Sequence, residues 1–221
     1  MKNVIYSVLV LLTVSVLSGC AGKYTEPENY SGFLKNYSSG QKEQSVSGVP
    51  VFRWSSPDFK TSNYDAVYIL PIKFWPEIPV SGQAQQEKLQ SILGYANRKL
   101  RHELKSRVPV VNKPGPRTLT LRIVITAVDV QKQGLNVWEL MPVPALIAGA
   151  QYLTGYRTLD VIFYFEAEVT DSVTGKPLIT TVRRSQSVTL SNSHKLLTVV
   201  EVKETIDELV SDFALYQSPR T

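Results

Sequence analysis

Four carboxylates in one stretch of the chain are its best candidates for catalysis: Asp160, Glu166, Glu168 and Asp171. Paired acids can cleave glycosidic bonds, one acting as acid and the other as base or nucleophile. Glu166 and Glu168 lie two residues apart in a strand pattern, which places them on one face about 7 Å apart. A cross-strand charge ladder opposite Arg183 or Arg184 explains the same acids without catalysis. The ladder is the simpler explanation, so we predict that the protein is not an enzyme.

Other catalytic chemistries lack the residues that they need. The chain has 2 histidines, His102 and His194, both in predicted surface turns of helices, and 1 cysteine. Nucleophilic catalysis needs a base beside its nucleophile, and a metal site needs clustered ligands. Neither pattern occurs, there is no glycine-rich phosphate loop, and the basic residues form no stripe with interleaved aromatics. We therefore expect no catalytic residue, no metal, no cofactor and no nucleic-acid partner.

The single cysteine lies where a covalent modification is expected. Lys2 precedes an apolar run that ends at Leu17. This run is too short for a membrane-spanning helix and is typical of a secretory signal, so residues 1–19 are predicted to be a signal peptide. Ser18-Gly19-Cys20 closes the run and resembles the bacterial lipobox. The resemblance implies cleavage between Gly19 and Cys20 and attachment of fatty acyl chains such as palmitate to Cys20; the alternative is a buried cysteine at the end of a signal anchor.

Composition predicts a single domain on a tether. About 200 of the 221 residues follow the signal, which is enough for one domain with its own core. The formal net charge of +5 is mild and favours attraction to anionic lipid headgroups or acidic glycans. Residues 20–50 are polar and are predicted to form the lipidated N-terminus and a flexible tether with a reach of roughly 30 Å. Residues 51–217 are predicted to form the domain.

One part of the predicted tether is apolar. Tyr30, Phe33, Leu34 and Tyr37 fall within eight residues, and such side chains are costly to leave in water. The segment either docks on the domain, which we favour, or recognises a partner. Phe33, Leu34 and Tyr37 are therefore candidate partner-binding residues.

The remaining pattern predicts an α+β fold. Apolar residues recur on a single stripe in two predicted helices, 83–106 and 194–216. Alternating or continuous apolar patterns predict strands, joined in one case by the turn Asp171-Ser172-Val173-Thr174-Gly175-Lys176: 64–70, 108–111, 118–130, 159–169 and 178–190. Single stripes place both helices on one face of one mainly antiparallel sheet, in a two-layer sandwich. The other face is predicted to carry its charges in water.

Residues 131–156 do not fit this scheme. They are too many for a turn and they are apolar, while Pro142 and Pro144 exclude a continuous helix. They form either a short helix that covers the sheet or a flap that touches the membrane or a partner. A pore-forming hairpin is the remote third reading, because the alternation of a barrel strand is missing. The candidate partner-binding residues here are Trp138, Leu140, Leu146 and Ile147.

Three short motifs resemble one group of bacterial lipoproteins, a domain-of-unknown-function family. They are the SGFL-x-x-Y segment Ser31–Tyr37, the Tyr-led strand from Tyr64 to Pro71, and an acidic strand running into Asp-Ser-x-Thr-Gly, from Glu166 to Gly175. The chain departs from the family pattern at Asn36, where an acidic residue is usual. The resemblance implies a lipoprotein without an established activity. Ala21 after the cysteine resembles the outer-membrane sorting pattern, with the domain facing the periplasm or the cell surface.

Three functions remain open from the sequence. The first is a lipid-anchored, non-enzymatic binding or structural module in the periplasm, held to the membrane by its N-terminal lipid, with an envelope protein as its partner. The second is an envelope glycan hydrolase that uses Glu166 and Glu168. The third is a lipid-handling protein that uses the apolar segment 131–156.

Overall fold

The structure is a computed structural model that describes residues 24–77, 82–132, 138–144, 158–191 and 198–215. The predicted signal peptide with Gly19 and Cys20 lies outside these ranges, as do Leu146 and Ile147. Within the described ranges, neither helix combines the length and the apolar character that a bilayer crossing requires.

The described residues form one sheet of ten strands with two helices. The strands are β1 (Gln41–Gln44), β2 (Pro50–Ser55), β3 (Ala66–Ile69), β4 (Lys73–Phe74), β5 (Val110–Val111), β6 (Thr118–Lys132), β7 (Trp138–Met141), β8 (Thr158–Asp171), β9 (Pro177–Arg184) and β10 (Val188–Ser191). The helices are α1 (Gln83–Lys105) and α2 (Val199–Leu215), and short 3₁₀ turns occupy Pro27–Asn29 and Thr61–Asn63.

The two long strands β6 and β8 form the centre of the sheet. They pair antiparallel from Leu119 opposite Asp171 to Lys132 opposite Leu159. The strand order is β1-β2-β9-β8-β6-β3-β5, with β10 beside β8 and with β4 and β7 beside β6. Among the described strands, the parallel pairs are β3 with β5, β3 with β6 and β4 with β6, and the other pairs are antiparallel. The predicted mainly antiparallel α+β fold is therefore confirmed.

Both helices pack on the same face of the sheet, as their single apolar stripes predict. The stripes of α1 and α2 share one core with the inward side chains of β6 and β8, including Ile123 and Phe165. Between the helices, the Tyr95 hydroxyl donates a hydrogen bond to Asp207 over 2.6 Å. We call this side of the sheet the helix face and the opposite side the outer face.

A β-bulge in β6 corrects the predicted alternation of that strand. Ile125 pairs with Phe165 but Ala127 pairs with Tyr164, so Thr126 is an extra residue. Beyond the bulge, Val128 and Val130 enter the core, and Ala127 turns to the outer face. An extra residue exchanges the faces of everything after it, because strand side chains alternate. Ile125 and Ala127 are both apolar and correctly spaced, so the sequence pattern gave no sign of the bulge.

The prediction that residues 20–50 form a tether is wrong for residues 24–50. Residues 24–40, which we call the N-terminal strap, cross the outer face, and β1 then pairs with β2 and forms the edge of the sheet. The strap buries Leu34 to 4% exposure and covers Glu166, which is 1% exposed. The predicted water-exposed outer face is therefore also wrong. The polar composition of this segment suggested a solvated tether. The segment is nevertheless docked, because its polar groups form hydrogen bonds with the charged residues of the outer face.

The segment 131–156 is partly an extension of the sheet. Its described part contains β7, which pairs antiparallel with the end of β6, and Val143, which is 1% exposed in the core. Leu140 is 45% exposed. Residues 133–137 and 145–157 lie outside the described ranges, so the predictions for Leu146 and Ile147 stay predictions.

Candidate functional site

Glu166 is the residue on which the strap docks. It lies on the outer face of β8, and both of its carboxylate oxygens accept hydrogen bonds from the strap. The backbone N–H of Ser31 donates to Oε1 over 2.8 Å, and the Tyr37 hydroxyl donates to Oε2 over 2.7 Å. These partners are 135 and 129 residues away along the chain. A buried charge that is fully hydrogen-bonded fixes its partners in one arrangement.

The SGFL-x-x-Y segment forms a compact loop around this carboxylate. Tyr37 Oη also accepts the backbone N–H of Leu34 over 3.1 Å, which closes the loop. Gly32 has a φ of +76°, a conformation that a side chain would strain. Tyr30 stacks on Tyr37 with ring centroids 4.6 Å apart and packs against Phe52 of β2. The motif is therefore structural, because each of these residues holds the strap to the sheet.

The same contacts change the acidity of Tyr37. Burial, followed by the hydrogen bond to Glu166 and its negative charge, raises the pKa of Tyr37 to about 12. The hydroxyl therefore stays protonated and remains a donor to Glu166 throughout the physiological range.

Glu168, the second predicted acid, is paired rather than free to react. The Arg122 guanidinium donates to Glu168 over 3.0 Å and lies 4.7 Å from the Phe33 ring centroid. Phe33 in turn meets the edge of Trp75. A glycosidase acid must reach both substrate and water, whereas Glu166 and Glu168 are 1% and 7% exposed beneath the strap. The geometry gives the hydrolase hypothesis no support.

The expected ladder between these acids and Arg183 or Arg184 is wrong in its register. Glu166 lies opposite Val182, and Arg183 lies opposite Phe165 on the helix face. Arg183 is 3% exposed and bonds Asp212 and Glu208 of α2, the latter over 2.6 Å. Its charge is thus buried under the helix rather than dissolved on the outer face.

Asp212 ties α2 to the turn before β2. The backbone N–H and the hydroxyl of Ser47 both donate to it over 2.8 Å. Burial alone raises its pKa, but hydrogen bonds from Ser45 and Ser47 and the Arg183 charge outweigh burial and lower the pKa below its usual value. The carboxylate therefore stays ionised and bonded.

The predicted partner-binding residues are mostly engaged within the chain. Leu34 is buried and Tyr37 bonds Glu166, so neither is available to a partner while the strap is docked. Phe33 is half-buried between Arg122 and Trp75, and Trp75 is 39% exposed. The backbone of Trp138 pairs in the sheet opposite Gln131, while Leu140 remains exposed.

The helix face contains a cavity of about 350 Å³ beneath the carboxyl-terminal ends of both helices. Its floor includes Leu121, Ala167 and Ile179, and its roof includes Leu104 of α1 and Phe213 of α2. At the other end of the helices, between Ile92, Phe163 and Val202, the gap is only about 10 Å³, which is roughly the space of one water molecule. Sequence patterns gave no sign of this difference.

A larger groove of about 730 Å³ lies between β4 and α1. Its lining includes Glu77 and Pro144, the last described residues before two undescribed segments. Among the described residues, no three His, Cys, Asp or Glu side chains are placed to hold a metal ion.

Sequence comparisons match the chain to lipoproteins. A family model described as "Protein of unknown function (DUF3313)" matches residues 29–213, a span that begins inside the strap. The chain is 40% identical over 209 residues to the "Uncharacterized lipoprotein YdcL" of Escherichia coli K12, covering 95% of this chain and 94% of the relative. The protein of the same name from E. coli O157:H7 matches equally.

Comparisons with solved structures give only distant likeness. The PelC dodecamer of Paraburkholderia phytofirmans matches with 15% identity and a TM-score of 0.36, over 76% of this chain and 98% of that one. A PDZ domain protein of Parabacteroides distasonis matches with 12% identity and a TM-score of 0.40, over 83% of this chain and 38% of that one. Likeness at this level carries no functional argument.

Proposed function

The chain belongs to the DUF3313 family, a family of bacterial lipoproteins of unknown function, and on that premise we propose that it is a non-enzymatic binding module anchored through Cys20 to the outer membrane. In this proposal the domain faces the periplasm and is held directly against the membrane surface. On a long tether, the folded domain would instead lie clear of the membrane surface.

The single observation that carries the proposal is that the strap packs against the domain very close to Cys20. Thr25 is 4% exposed, and the Lys42 ammonium lies over the ring of Tyr24, only four positions after Cys20. Four residues span at most about 14 Å when fully extended. A free chain from residue 20 to residue 50 would reach roughly 30 Å on average. Because the strap and β1 are docked, the distance between the acylated Cys20 and the domain is limited to these few residues.

The residues around Tyr24 suit a headgroup layer. The Lys42 ammonium lies 5.1 Å from the centroid of the Tyr24 ring. Tyrosine is enriched at the membrane interface, and a lysine near an anionic surface contributes about 1 kcal/mol of attraction. We infer that this corner of the outer face, where the strap starts beside β1, lies nearest the bilayer.

The non-enzymatic part of the proposal is supported by the two acids that the sequence offered for catalysis. Both carboxylate oxygens of Glu166 accept hydrogen bonds from the strap, and Glu168 pairs with Arg122. Both are covered by the same strap that brings the chain to the membrane. Their role in this proposal is to hold the domain close to its anchor.

Two measurements test the proposal. Radiolabelled palmitate should enter the wild-type protein but not Cys20→Ser, and that variant should leave the membrane fraction. Energy transfer to a bilayer dye, from a label on Gln44→Cys in β1 of the acylated protein, should be strong, and it should be weaker from Ser106→Cys at the end of α1. A 30-residue Gly/Ser insert between residues 23 and 24 should weaken transfer from the Gln44→Cys label.

Each measurement has an outcome that contradicts the proposal. If Cys20→Ser stays firmly attached to the membrane, a lipid on Cys20 is not what anchors the protein. Equal energy transfer with and without the insert would show that the short connection does not set the position of the domain.

A further inference from the structure

We propose that the cavity beneath the helix ends is a binding site for a single-chain anionic amphiphile, meaning one extended acyl chain with a carboxylate or phosphate head. This inference goes beyond the anchoring function and is independent of it, because the site lies on the helix face and the strap lies on the outer face. It also uses none of the residues of the segment 131–156.

The shape of the cavity selects an extended chain. Its floor crosses β2, β9, β8, β6 and β3, which are successive strands of the sheet. Neighbouring strands lie about 4.8 Å apart, so this floor is about 19 Å long. The cavity volume of about 350 Å³ is at the lower end of the range of about 300–1,000 Å³ for small-ligand sites. Spread over that length, this volume describes a narrow trough.

The lining of the trough favours a hydrocarbon over water. Leu121, Ala167 and Ile179 on the floor are each less than 10% exposed, and the roof residues Leu104 and Phe213 are also apolar. Protein interiors leave few voids larger than one water molecule, and a water in a cavity needs several polar partners. Small-ligand sites of about 300–1,000 Å³ are lined in this way, with a few polar groups that fix orientation.

The charge of the rim selects an anionic head. Arg107 lines the trough just after the end of α1 and is exposed. No described residue accepts a hydrogen bond from its guanidinium, whereas Arg53 at the opposite end bonds Glu43 over 3.1 Å. A guanidinium binds carboxylate or phosphate through two parallel hydrogen bonds. The head therefore lies at Arg107 and the acyl chain runs inward across β6 and β8.

A palmitate titration tests the site. The probe is palmitate, with hexadecanol as its uncharged analogue, and the protein is the full chain from residue 20 with Cys20→Ser, so that no acyl chain of its own competes. Wild-type protein should bind palmitate about tenfold more tightly than hexadecanol, the size expected from one charge-assisted hydrogen-bonded pair. Arg107→Gln should weaken palmitate about tenfold and leave hexadecanol unchanged. Lys105→Gln, an exposed cation two residues away that does not line the trough, should change neither.

A second variant tests the trough itself. Ala167→Phe places a ring on the floor and should abolish binding of both probes, with circular dichroism checking that the protein is folded. If this variant does not fold, Ala214→Leu at the roof of the trough replaces it. Hexadecyl phosphate, measured beside palmitate, separates the two sources of the anionic head.

Three outcomes overturn the proposal. The first is no palmitate binding to the wild-type chain. The second is equal binding to a folded variant with a filled trough. The third is binding that appears only after residues 216–221 are deleted, because the trough would then be the seat of the chain's own C-terminus.

Discussion

The two faces of the sheet are closed by different interactions, although they share the same strands. On β8, Phe165 points to the helix face and joins the apolar core, while its neighbour Glu166 points to the outer face and bonds the strap. The helix face is covered by helices whose apolar area drives the contact. The outer face is covered by a segment held through a few directional hydrogen bonds and ring contacts.

This difference explains where the structure tolerates empty space. Hydrophobic contact is non-directional, so the two helices can end above the sheet and leave a cavity of about 350 Å³. Hydrogen bonds to a buried carboxylate require fixed distances, and an unpaired buried group costs more than a paired one contributes. We therefore expect the loss of stability caused by a substitution on the outer face to depend on which polar atom is removed. On the helix face, we expect the loss of stability to depend on the change in side-chain volume.

Arg183→Met should have the largest effect, because it breaks the one contact described here that buries opposite charges on the apolar helix face. The change leaves Asp212, 5% exposed, and Glu208 without their cation. Breaking a buried pair from one side costs about 3–5 kcal/mol. Urea unfolding measures the loss. The double variant Arg183→Met, Asp212→Leu should recover part of it, and a loss below about 1 kcal/mol would show that this contact adds little.

Glu166→Ala should release the strap. The Ser31 N–H and the Tyr37 hydroxyl lose their charged acceptor, so we expect a loss of about 2–4 kcal/mol. Hydrogen exchange at Ser31 and Leu34 should accelerate, while exchange in α1 changes little.

Glu168→Ala is the matched control for Glu166→Ala. Its partner Arg122 has a side chain that is 42% exposed, so the expected loss is about 1 kcal/mol or less. Equal losses in the two variants would contradict the special position of Glu166.

A pair of alanines tests volume on the helix face. Ala96 of α1 and Ala214 of α2 are both at least nine-tenths buried in the same core, but only Ala214 lines the cavity. Ala96→Leu should cost about 1–3 kcal/mol through overpacking. Ala214→Leu should stay within about 1 kcal/mol of wild type, because its added atoms enter the trough. Thermal unfolding of both variants compares them, and similar losses would mean that the trough is not free to accept a side chain.

Tyr37→Phe should have a small effect and a distinctive pH dependence. At neutral pH the lost hydrogen bond costs about 1 kcal/mol. The folded-state pKa of Tyr37 is raised from 10.0 to about 12, so its contribution is complete below pH 10 and is lost as the pH rises through about 12. The difference in unfolding free energy between wild type and Tyr37→Phe should therefore shrink from pH 9 to pH 11. A constant difference would show that folding does not raise the pKa of the Tyr37 hydroxyl.

Local periodicity was sufficient to predict the framework of the fold. The single apolar stripe of α1 predicted its span to within one residue, and the alternation in β8 predicted which side chains face the core, including Phe163 and Phe165. The turn before β9 was also readable, because Gly175 occupies the positive-φ position that it predicts. These features depend on residues close together in the chain, and the lipobox and the family motifs are equally local.

The covering of the outer face was decided only by the tertiary structure. The SGFL-x-x-Y segment was recognisable, but its acceptor Glu166 lies more than 125 residues away, and no local spacing joins them. The register of β8 against β9 likewise moved Arg183 from the outer face to the helix face. An alternating pattern shows that successive side chains point to opposite faces of a sheet. It does not show the register against the neighbouring strand, which decides which residues lie opposite each other.

The cavity also follows from tertiary structure alone. It exists because two helices, separated by 93 residues of chain, bring their carboxyl ends over the same end of the sheet. Each stripe is complete in the sequence, so neither helix by itself shows a defect. The sequence determined which surfaces are apolar, while the relative lengths and placement of the layers determined whether those surfaces meet or leave space for a ligand.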